Sequence, residues 1–257
     1  MELVDTHCHL TFDHLAEDIE AVLARSVYAG VTCWITVGTD NQQNEKAVEL
    51  TNRFRNMYAA VGIHPHDAHD VTDETLSALK ELAQHEKVVA IGETGLDFHY
   101  NFSDEQDQKK SFISQIKIAK ELNLPVIIHC REAFDETIEI LDRHASGLKG
   151  VVFHCFSGPE EQAKIVLDHG FYVSFTGVVT FKNTEAVRRA AEIVPVDRLM
   201  IETDCPYMSP EPMRKQKINE PALMVHTARF LAGLKQMDFT VFANEVTDTS
   251  KIFFNLP

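Results

Sequence analysis

The feature that most constrains this chain is a regular alternation of apolar, strand-like runs with stretches of helical periodicity. Such alternation is typical of parallel βαβ units. Two of the intervening stretches, 105–122 and 159–169, have the spacing of amphipathic helices. The predicted strands are 3–10, 31–38, 57–65, 88–97, 125–130, 150–158, 171–177 and 199–204. Strands that are each followed by a helix predict the α/β class and a (β/α)8 TIM-type barrel, formed as one domain by residues 1–257.

An open, doubly wound sheet is the alternative that the same alternation allows. It would need a glycine-rich phosphate loop after the first strand, and "HCHLTFDH" at 7–14 is not one. The length of 257 residues is also close to that of a typical (β/α)8 domain. We therefore favour the barrel.

Composition narrows the classes of function. Lysine and arginine number 24 against 39 acidic residues, a net charge of −15, which argues against a broad basic surface that grips nucleic acid. The five cysteines are scattered without a CxxC pair and are expected to be reduced thiols. No apolar run reaches the roughly 20 residues of a membrane span, and the first residues do not resemble a signal peptide. We expect a soluble, cytoplasmic protein with no membrane partner.

Residues that can bind metal ions cluster at the predicted carboxyl ends of the strands, where the active sites of such barrels lie. The period of a strand directs His7 and His9 to the same side, whereas Cys8 faces away. A lone histidine is most often structural, but ligand-type residues at the ends of five strands together predict a metal site. The predicted ligands are His7, His9, Glu93, His129, His154 and Asp204.

The number of ligands predicts two divalent ions. Imidazole and carboxylate donors favour zinc, manganese or cobalt over magnesium, so we expect zinc or manganese first and magnesium after them. The expected arrangement is His7, His9 and Asp204 on the first ion, His129 and His154 on the second, and Glu93 bridging the two.

Four further side chains near the same ends are candidates for substrate binding. Loops after strands seven and eight of such barrels often bind phosphate, and arginine pairs well with phosphate oxygens. The competing interpretations are a structured turn around Pro65 for the histidine and solvated surface positions for the cations. The candidates are His64, Arg131, Lys182 and Arg214.

Asp204 and Glu93 are the acidic residues that we predict to take part in catalysis. A divalent ion lowers the pKa of bound water from 15.7 to about 7, so a metal-bound water is the expected nucleophile for in-line attack on phosphorus. A cationic pocket within an acidic exterior suits a phosphodiester substrate and favours short single-stranded ends over duplex. The same ligands also suit amide, ester or aminoacyl-bond hydrolysis, and a non-catalytic metal-binding barrel is a third interpretation. No obligate protein partner is evident.

Seven segments carry a family resemblance: "DTHCHL" at 5–10, "GIHPH" at 62–66, "IGETGLDF" at 91–98, "PVIIHCREA" at 125–133, "HCFSG" at 154–158, "SFTGVVTFKN" at 174–183 and "ETDCPYMSP" at 202–210. With these motifs the chain resembles the TatD family of metal-dependent hydrolases over nearly its whole length. The resemblance implies a TIM-like barrel, a binuclear metal centre, and deoxyribonuclease or 3′-to-5′ exonuclease activity. It also implies the ligand positions given above, with Asp204 as general base.

The chain departs from the family pattern after the eighth predicted strand. There the family commonly has an arginine-rich "RGKRNEP" stretch, whereas this chain has "RKQKINEP" at 214–221. The loop that contains Arg214 is therefore the part of the site that the resemblance defines least.

Overall fold

The structure, a computed structural model, describes residues 2–100 and 102–257. Its eight strands follow one another in one sheet in the order β1 to β8. The strands are β1 Leu3–Cys8, β2 Val31–Val37, β3 Met57–Val61, β4 Val88–Asp97, β5 Val126–Arg131, β6 Val151–Phe153, β7 Tyr172–Phe175 and β8 Leu199–Ile201. This order, with helices between the strands, confirms the predicted (β/α)8 fold class.

The helices of the described residues follow the strands as predicted. They are α1 Asp13–Ala16, α2 Ile19–Ala29, α3 Asn41–Arg53, α4 Asp73–Leu82, α5 Glu105–Leu122, α6 Phe134–His144, α7 Glu160–Asp168, α8 Glu185–Ile193, α9 Met224–Leu234 and α10 Phe239–Phe254. Helix α5 has the predicted bounds because Asp104 caps its first turn and Asn123 ends it in the left-handed conformation. Within the described residues, none of these helices has the length and apolar character needed to cross a bilayer.

The chain divides into two compact units. The terminal unit comprises residues 1–36 and 155–257, and the central unit comprises residues 37–154. In the terminal unit, β1 pairs in parallel with β2, and β7 pairs in parallel with β8. In the central unit, β3 to β6 pair in parallel in sequence order. The prediction that residues 1–257 form one domain stays a prediction.

Each unit buries its own apolar side chains. Phe175, Phe242 and Phe254 are among the largest fully buried side chains of the terminal unit, and Phe112 and Phe153 of the central unit. Strands β1 and β4 are buried at every position, as expected of parallel strands that are covered on both faces. A polar side chain in such a strand needs a specific partner, because desolvation without one is costly.

Strands β1, β2, β3, β6, β7 and β8 end before the predicted residue, so several candidate site residues lie just after a strand. Strand β8 ends at Ile201, and Asp204 beyond it has a φ of 53°. Strand β6 ends at Phe153, and Cys155 beyond it has a φ of 46°. Left-handed conformations are uncommon for residues other than glycine, so the sequence contained no clear signal for either turn.

Candidate metal centre

In the terminal unit, His7, His9 and Asp204 form a group of potential metal ligands, named here the terminal group. Their ligand atoms all lie within 4.8 Å of one another. Asp204 Oδ1 is 3.4 Å from His9 Nε2 and 3.9 Å from His7 Nε2. Ligand atoms around a tetrahedral ion with bonds of about 2.0–2.1 Å are about 3.3 Å apart. The chemistry and spacing of this buried donor set therefore fit a divalent ion.

Backbone hydrogen bonds bring the terminal group together. The N–H of Asp204 donates to the carbonyl of His7 at 2.9 Å, and the N–H of His9 donates to the carbonyl of Cys205 at 2.9 Å. Both histidines are buried, with ring centroids 5.0 Å apart. The end of β1 and the turn after β8 thus place all three side chains in one location.

Two buried acids fix the backbone next to predicted ligands. Asp5 accepts hydrogen bonds from the N–H of Thr203 at 2.9 Å and from its hydroxyl at 2.6 Å, directly before Asp204. Burial raises the pKa of Asp5 to about 7, although the bonds from Thr203 oppose the shift. Glu202 accepts from the N–H of Cys155 at 2.7 Å and from the hydroxyl of Ser174 at 2.5 Å. Both acids therefore stabilise the turns that follow the strands.

In the central unit, Glu93 lies at the middle of a second group of potential ligands. Its Oε1 is 2.7 Å from both His129 Nδ1 and His154 Nε2. It is also 3.5 Å from His64 Nε2. His129 Nδ1 lies 3.5 Å from His154 Nε2 and 3.4 Å from His64 Nε2. These four residues, Glu93, His129, His154 and His64, are named here the central group, and the ligand atoms of His64, Glu93 and His129 all lie within 4.8 Å of one another.

Close packing of β4 against β5 builds the central group. Gly95 pairs with His129 in the register of these strands, and it has a φ of 141°. A Cβ atom at Gly95 would lie 2.0 Å from the carbonyl oxygen of His129. Only glycine permits this approach, which places Glu93 and Asp97 within reach of the His129 ring.

Asp97 orients His129 from the other side of its ring. Its Oδ2 lies 3.0 Å from His129 Nε2 and 2.9 Å from His66 Nε2. Burial alone would raise the pKa of Asp97, but hydrogen bonds from His129 and from the N–H of Tyr100 hold it well below its usual range. Burial lowers the pKa of His129, yet its bonds to Asp97 and Glu93 raise it overall. Asp97 thus directs Nδ1 of His129 toward Glu93, as carboxylates do behind ligating histidines.

Sequence reasoning gave Asp97 no role, although a signal existed. Residues four apart on a strand share a face, and Asp97 is four residues after Glu93 in a strand that is buried throughout. A second acid on that face could have been recognised as the partner of a ligand histidine.

His64 lies within the central group. Strand β3 ends at Val61 and not at the predicted residue, because Pro65 begins a short 3-10 helix over Pro65–Asp70. The Nδ1 atom of His64 accepts from the N–H of His66 at 3.1 Å, which turns Nε2 toward Glu93. Burial lowers the pKa of His64 to about 4, so its ring is neutral. Its predicted role in substrate binding stays a prediction.

Three buried amide side chains from helices α3 and α5 hold the backbone of the central group. Each bonds to both the N–H and the carbonyl of one residue, at distances between 2.8 and 3.0 Å. The pairs are Asn44 with Gly62, Gln115 with Ile63, and Gln108 with Asp97. These residues were missed, because an asparagine or glutamine in a helical pattern resembles an ordinary surface position.

The three predicted phosphate-binding cations are exposed. The guanidinium of Arg131, at the end of β5, lies 4.6 Å from the ring centroid of Tyr100. The guanidinium of Arg214 lies 4.1 Å from the ring centroid of Phe181, the residue before Lys182. The structure thus brings Arg214 and Lys182 to one part of the terminal unit, and their contact with phosphate stays a prediction.

The second half of the unusual loop 214–221 is firmly anchored. The amide of Asn219 donates to the carbonyl of Thr203 at 3.0 Å and to that of Tyr207 at 2.6 Å. Glu220 pairs with Arg25, whose Nη2 lies 2.6 Å from Oε2. The part of the loop that matches the family pattern is therefore structural, whereas the divergent part carries the exposed cations.

Both the sequence and the fold match known proteins over almost their full length. A family model described as TatD related DNase matches residues 4–255. A Bacillus subtilis (strain 168) protein named uncharacterized metal-dependent hydrolase YabD is 42% identical over 254 residues, which cover 99% of each chain. An Enterobacter lignolyticus (strain SCF1) protein named 3′-5′ ssDNA/RNA exonuclease TatD is 35% identical over 258 residues, again 99% of each. The crystal structure of YJJV, a TatD homolog from Escherichia coli K12, has a TM-score of 0.92 at 30% identity and covers 99% of this chain and 98% of its own.

Proposed function

Because the chain belongs to the TatD family and is a metal-dependent hydrolase, we propose that it cleaves phosphodiester bonds of DNA from the 3′ end of a single strand. The observation that carries the proposal is the pair of ligand groups, one buried and one partly buried, each composed of imidazoles and a carboxylate. The relative named as a 3′-5′ ssDNA/RNA exonuclease supports the choice of bond. We propose that residues 1–257 act as one hydrolase domain.

We propose one divalent ion for each ligand group. When bound, such ions lower the pKa of water and stabilise the charge on the phosphate and on the leaving oxygen. The nitrogen-rich donor set favours zinc or manganese, with magnesium next. The proposed ligands are His7, His9 and Asp204 for one ion, and Glu93, His129 and His154 for the other. The bridging role of Glu93 stays a prediction.

Asp204 is the proposed proton acceptor. Its backbone is fixed by the bond to His7, and its carboxylate lies beside His9. Glu93 holds two imidazoles at 2.7 Å, so its removal would release both rings. The exposed cations Arg131, Lys182 and Arg214 are proposed to contact strand phosphates. An exterior with a net charge of −15 disfavours a long duplex and favours short single-stranded ends.

The test is degradation of a 5′-labelled single-stranded oligonucleotide after chelation and after return of zinc, manganese or magnesium. We expect a ladder that shortens from the 3′ end, that depends on the ion, and that disappears in Asp204→Ala. The matched control is Asp248→Asn on α10, an exposed acid of the same unit, which should retain full activity.

Other outcomes would favour the competing interpretations. Ion-dependent hydrolysis of esters or amides without phosphodiester cleavage would replace the proposal with amide or ester hydrolysis. A protein that retains its ions and turns over none of these substrates would be a non-catalytic metal-binding protein. Equal rates on single strands and on blunt duplex would contradict the preference for single-stranded ends.

A further inference from the structure

Two aromatic rings stand exposed on the loop that follows β4. The rings of Tyr100 and Phe102 are stacked, with centroids 5.5 Å apart and planes at 5°. Tyr100 is 49% exposed and Phe102 is 65% exposed. Burial of aromatic rings is favourable, so two stacked rings in solvent offer a surface for a ligand to cover.

The rings are held in place by their neighbours. The guanidinium of Arg131 lies 4.6 Å from the Tyr100 ring centroid. The ring of His66 meets both aromatic rings edge-on, at centroid distances of 4.8 Å to Phe102 and 5.5 Å to Tyr100. The carboxylate of Asp97 accepts from the N–H of Tyr100 at 3.0 Å. The stacked pair is thus a preformed aromatic surface within the central unit.

This surface is continuous with the central group. His66 Nε2 lies 2.9 Å from Asp97 Oδ2, which lies 3.0 Å from His129 Nε2. From Phe102 to His66 the ring centroids are 4.8 Å apart, and from His66 to His129 they are 6.2 Å apart. Stacked nucleotides advance by about 3.4 Å each, so the surface lies within about three nucleotides of the His129 ring.

We propose that Tyr100, Phe102 and Arg131, named here the aromatic platform, bind a nucleobase of the single-stranded substrate near the nucleotide being removed. This inference rests on the proposed function and adds the determinant that selects single strands. Base stacking on aromatic rings is tolerant of sequence and requires an unpaired base, because a base in a duplex is already stacked and paired. An arginine stacked on a ring keeps its in-plane donors available for a phosphate of the same strand.

The first test compares Tyr100→Ala and Phe102→Ala with Tyr28→Ala. Tyr28 is 94% exposed on α2 of the terminal unit and serves as the matched control. We expect the KM for a single-stranded hexanucleotide to rise by about 5- to 150-fold in each platform variant, the range measured for loss of one stacked base. Tyr100→Trp should retain tight binding, whereas Tyr100→Leu should not, because only an aromatic face stacks. Unchanged KM values in both alanine variants would overturn the proposal.

The second test locates the stacked base. Oligonucleotides with one abasic site at the second, third or fourth position from the 3′ end are compared in the wild type and in Tyr100→Ala. At one of these positions, the abasic site should raise the KM of the wild type as much as Tyr100→Ala raises the KM for the intact oligonucleotide. The two losses should not add when combined, because they remove the same contact. Full additivity at every position would contradict stacking by Tyr100.

A binding measurement separates failure of the platform from failure of the proposed function. Affinity for the same hexanucleotide is measured by fluorescence anisotropy in Asp204→Asn, with and without Tyr100→Ala. If the wild type cleaves no nucleic acid but binds it through Tyr100, the platform stands and the nuclease proposal fails. If the wild type cleaves DNA and loss of Tyr100 alters neither KM nor affinity, the platform fails and the nuclease proposal stands. Absence of both cleavage and binding would overturn both.

Discussion

The two ligand groups differ in how closely the carboxylate contacts the imidazoles. In the central group, Glu93 Oε1 lies 2.7 Å from both His129 and His154, so the carboxylate hydrogen-bonds directly to imidazoles. In the terminal group, Asp204 Oδ1 lies 3.4 and 3.9 Å from His9 and His7, which is close to the spacing of ligands around an ion. The terminal group is spaced for an ion, whereas the central group is partly stabilised by its own contacts.

The supports behind the two groups differ as well. Backbone bonds between the end of β1 and the turn after β8 hold the terminal group. Side chains hold the central group, through Asp97 behind His129 and through amides such as Gln108 and Gln115. Because of this difference, we expect the loss of an ion, or of a carboxylate, to change the stability and the ion affinity of the two units unequally.

The largest expected effect comes from removing the acid of either group. Glu93→Ala and Asp204→Ala should each lower kcat by about 10³-fold or more, since an ion supplies several kcal/mol and each 1.36 kcal/mol is tenfold. Ion content, measured by mass spectrometry of the folded variants, should fall in both. A wild-type rate in one variant would contradict a role for both groups, because the acid of that group would then take no part in catalysis.

A smaller effect should follow from Asp97→Asn, and only in the central unit. Substitution of a carboxylate behind a ligand histidine costs about 10- to 100-fold in ion affinity or activity. Competition with a chelator should show that one ion is bound more weakly and that the other is bound as in the wild type. Asp248→Asn is the control and should bind both ions as the wild type does. Equal weakening of both ions would show that the two groups are not independently supported.

Stability without ions should distinguish the groups more modestly. Hydrogen bonds to charged partners contribute about 1.5–3 kcal/mol and neutral ones about 0.5–1.5 kcal/mol. Glu93→Gln should therefore lower the free energy of unfolding by about 1–2 kcal/mol in chelator, measured with urea. Asp204→Asn, with longer contacts to its imidazoles, should lower it by less than about 0.5 kcal/mol. The reverse order would contradict the description of the central group as self-stabilised.

The smallest effects should come from the exposed cations of the terminal unit. Lys182→Ala and Arg214→Ala should raise the KM for the oligonucleotide by less than about fivefold, because exposed charge contacts contribute about 0.2–1 kcal/mol. Each substitution should also reduce the dependence of binding on salt. The slope of log affinity against log salt concentration should fall by about one unit for each phosphate contact that is lost. An unchanged salt dependence in both variants would assign these cations to the solvated surface.

The fold class, and part of the grouping of the candidate ligands, were predictable because they depend on local patterns; that these residues bind metal stays a prediction. Alternation of strand and helix indicated the fold class, and the period of two placed His7 and His9 on one side of β1. The observed distances show that His7 and His9 do converge with Asp204, and that Glu93 contacts two histidines.

The supports of the site were not predictable, because they depend on contacts between distant residues. Gln115 reads as a helix surface residue until it is seen bonded to Ile63. Tyr100 and Phe102 resembled ordinary loop aromatics, and their stacking depends on His66 and Arg131. The early ends of β6 and β8 are followed by left-handed residues that are not glycines, Cys155 and Asp204, for which sequence offers little signal.

The most direct test of the account is anomalous diffraction from crystals grown with manganese or zinc. We expect two anomalous peaks, one among His7, His9 and Asp204, and the other among Glu93, His129 and His154. The Glu93→Ala protein should lose the second peak. Anomalous peaks at other positions only, with none at either group, would contradict the assignment of these residues as a metal centre.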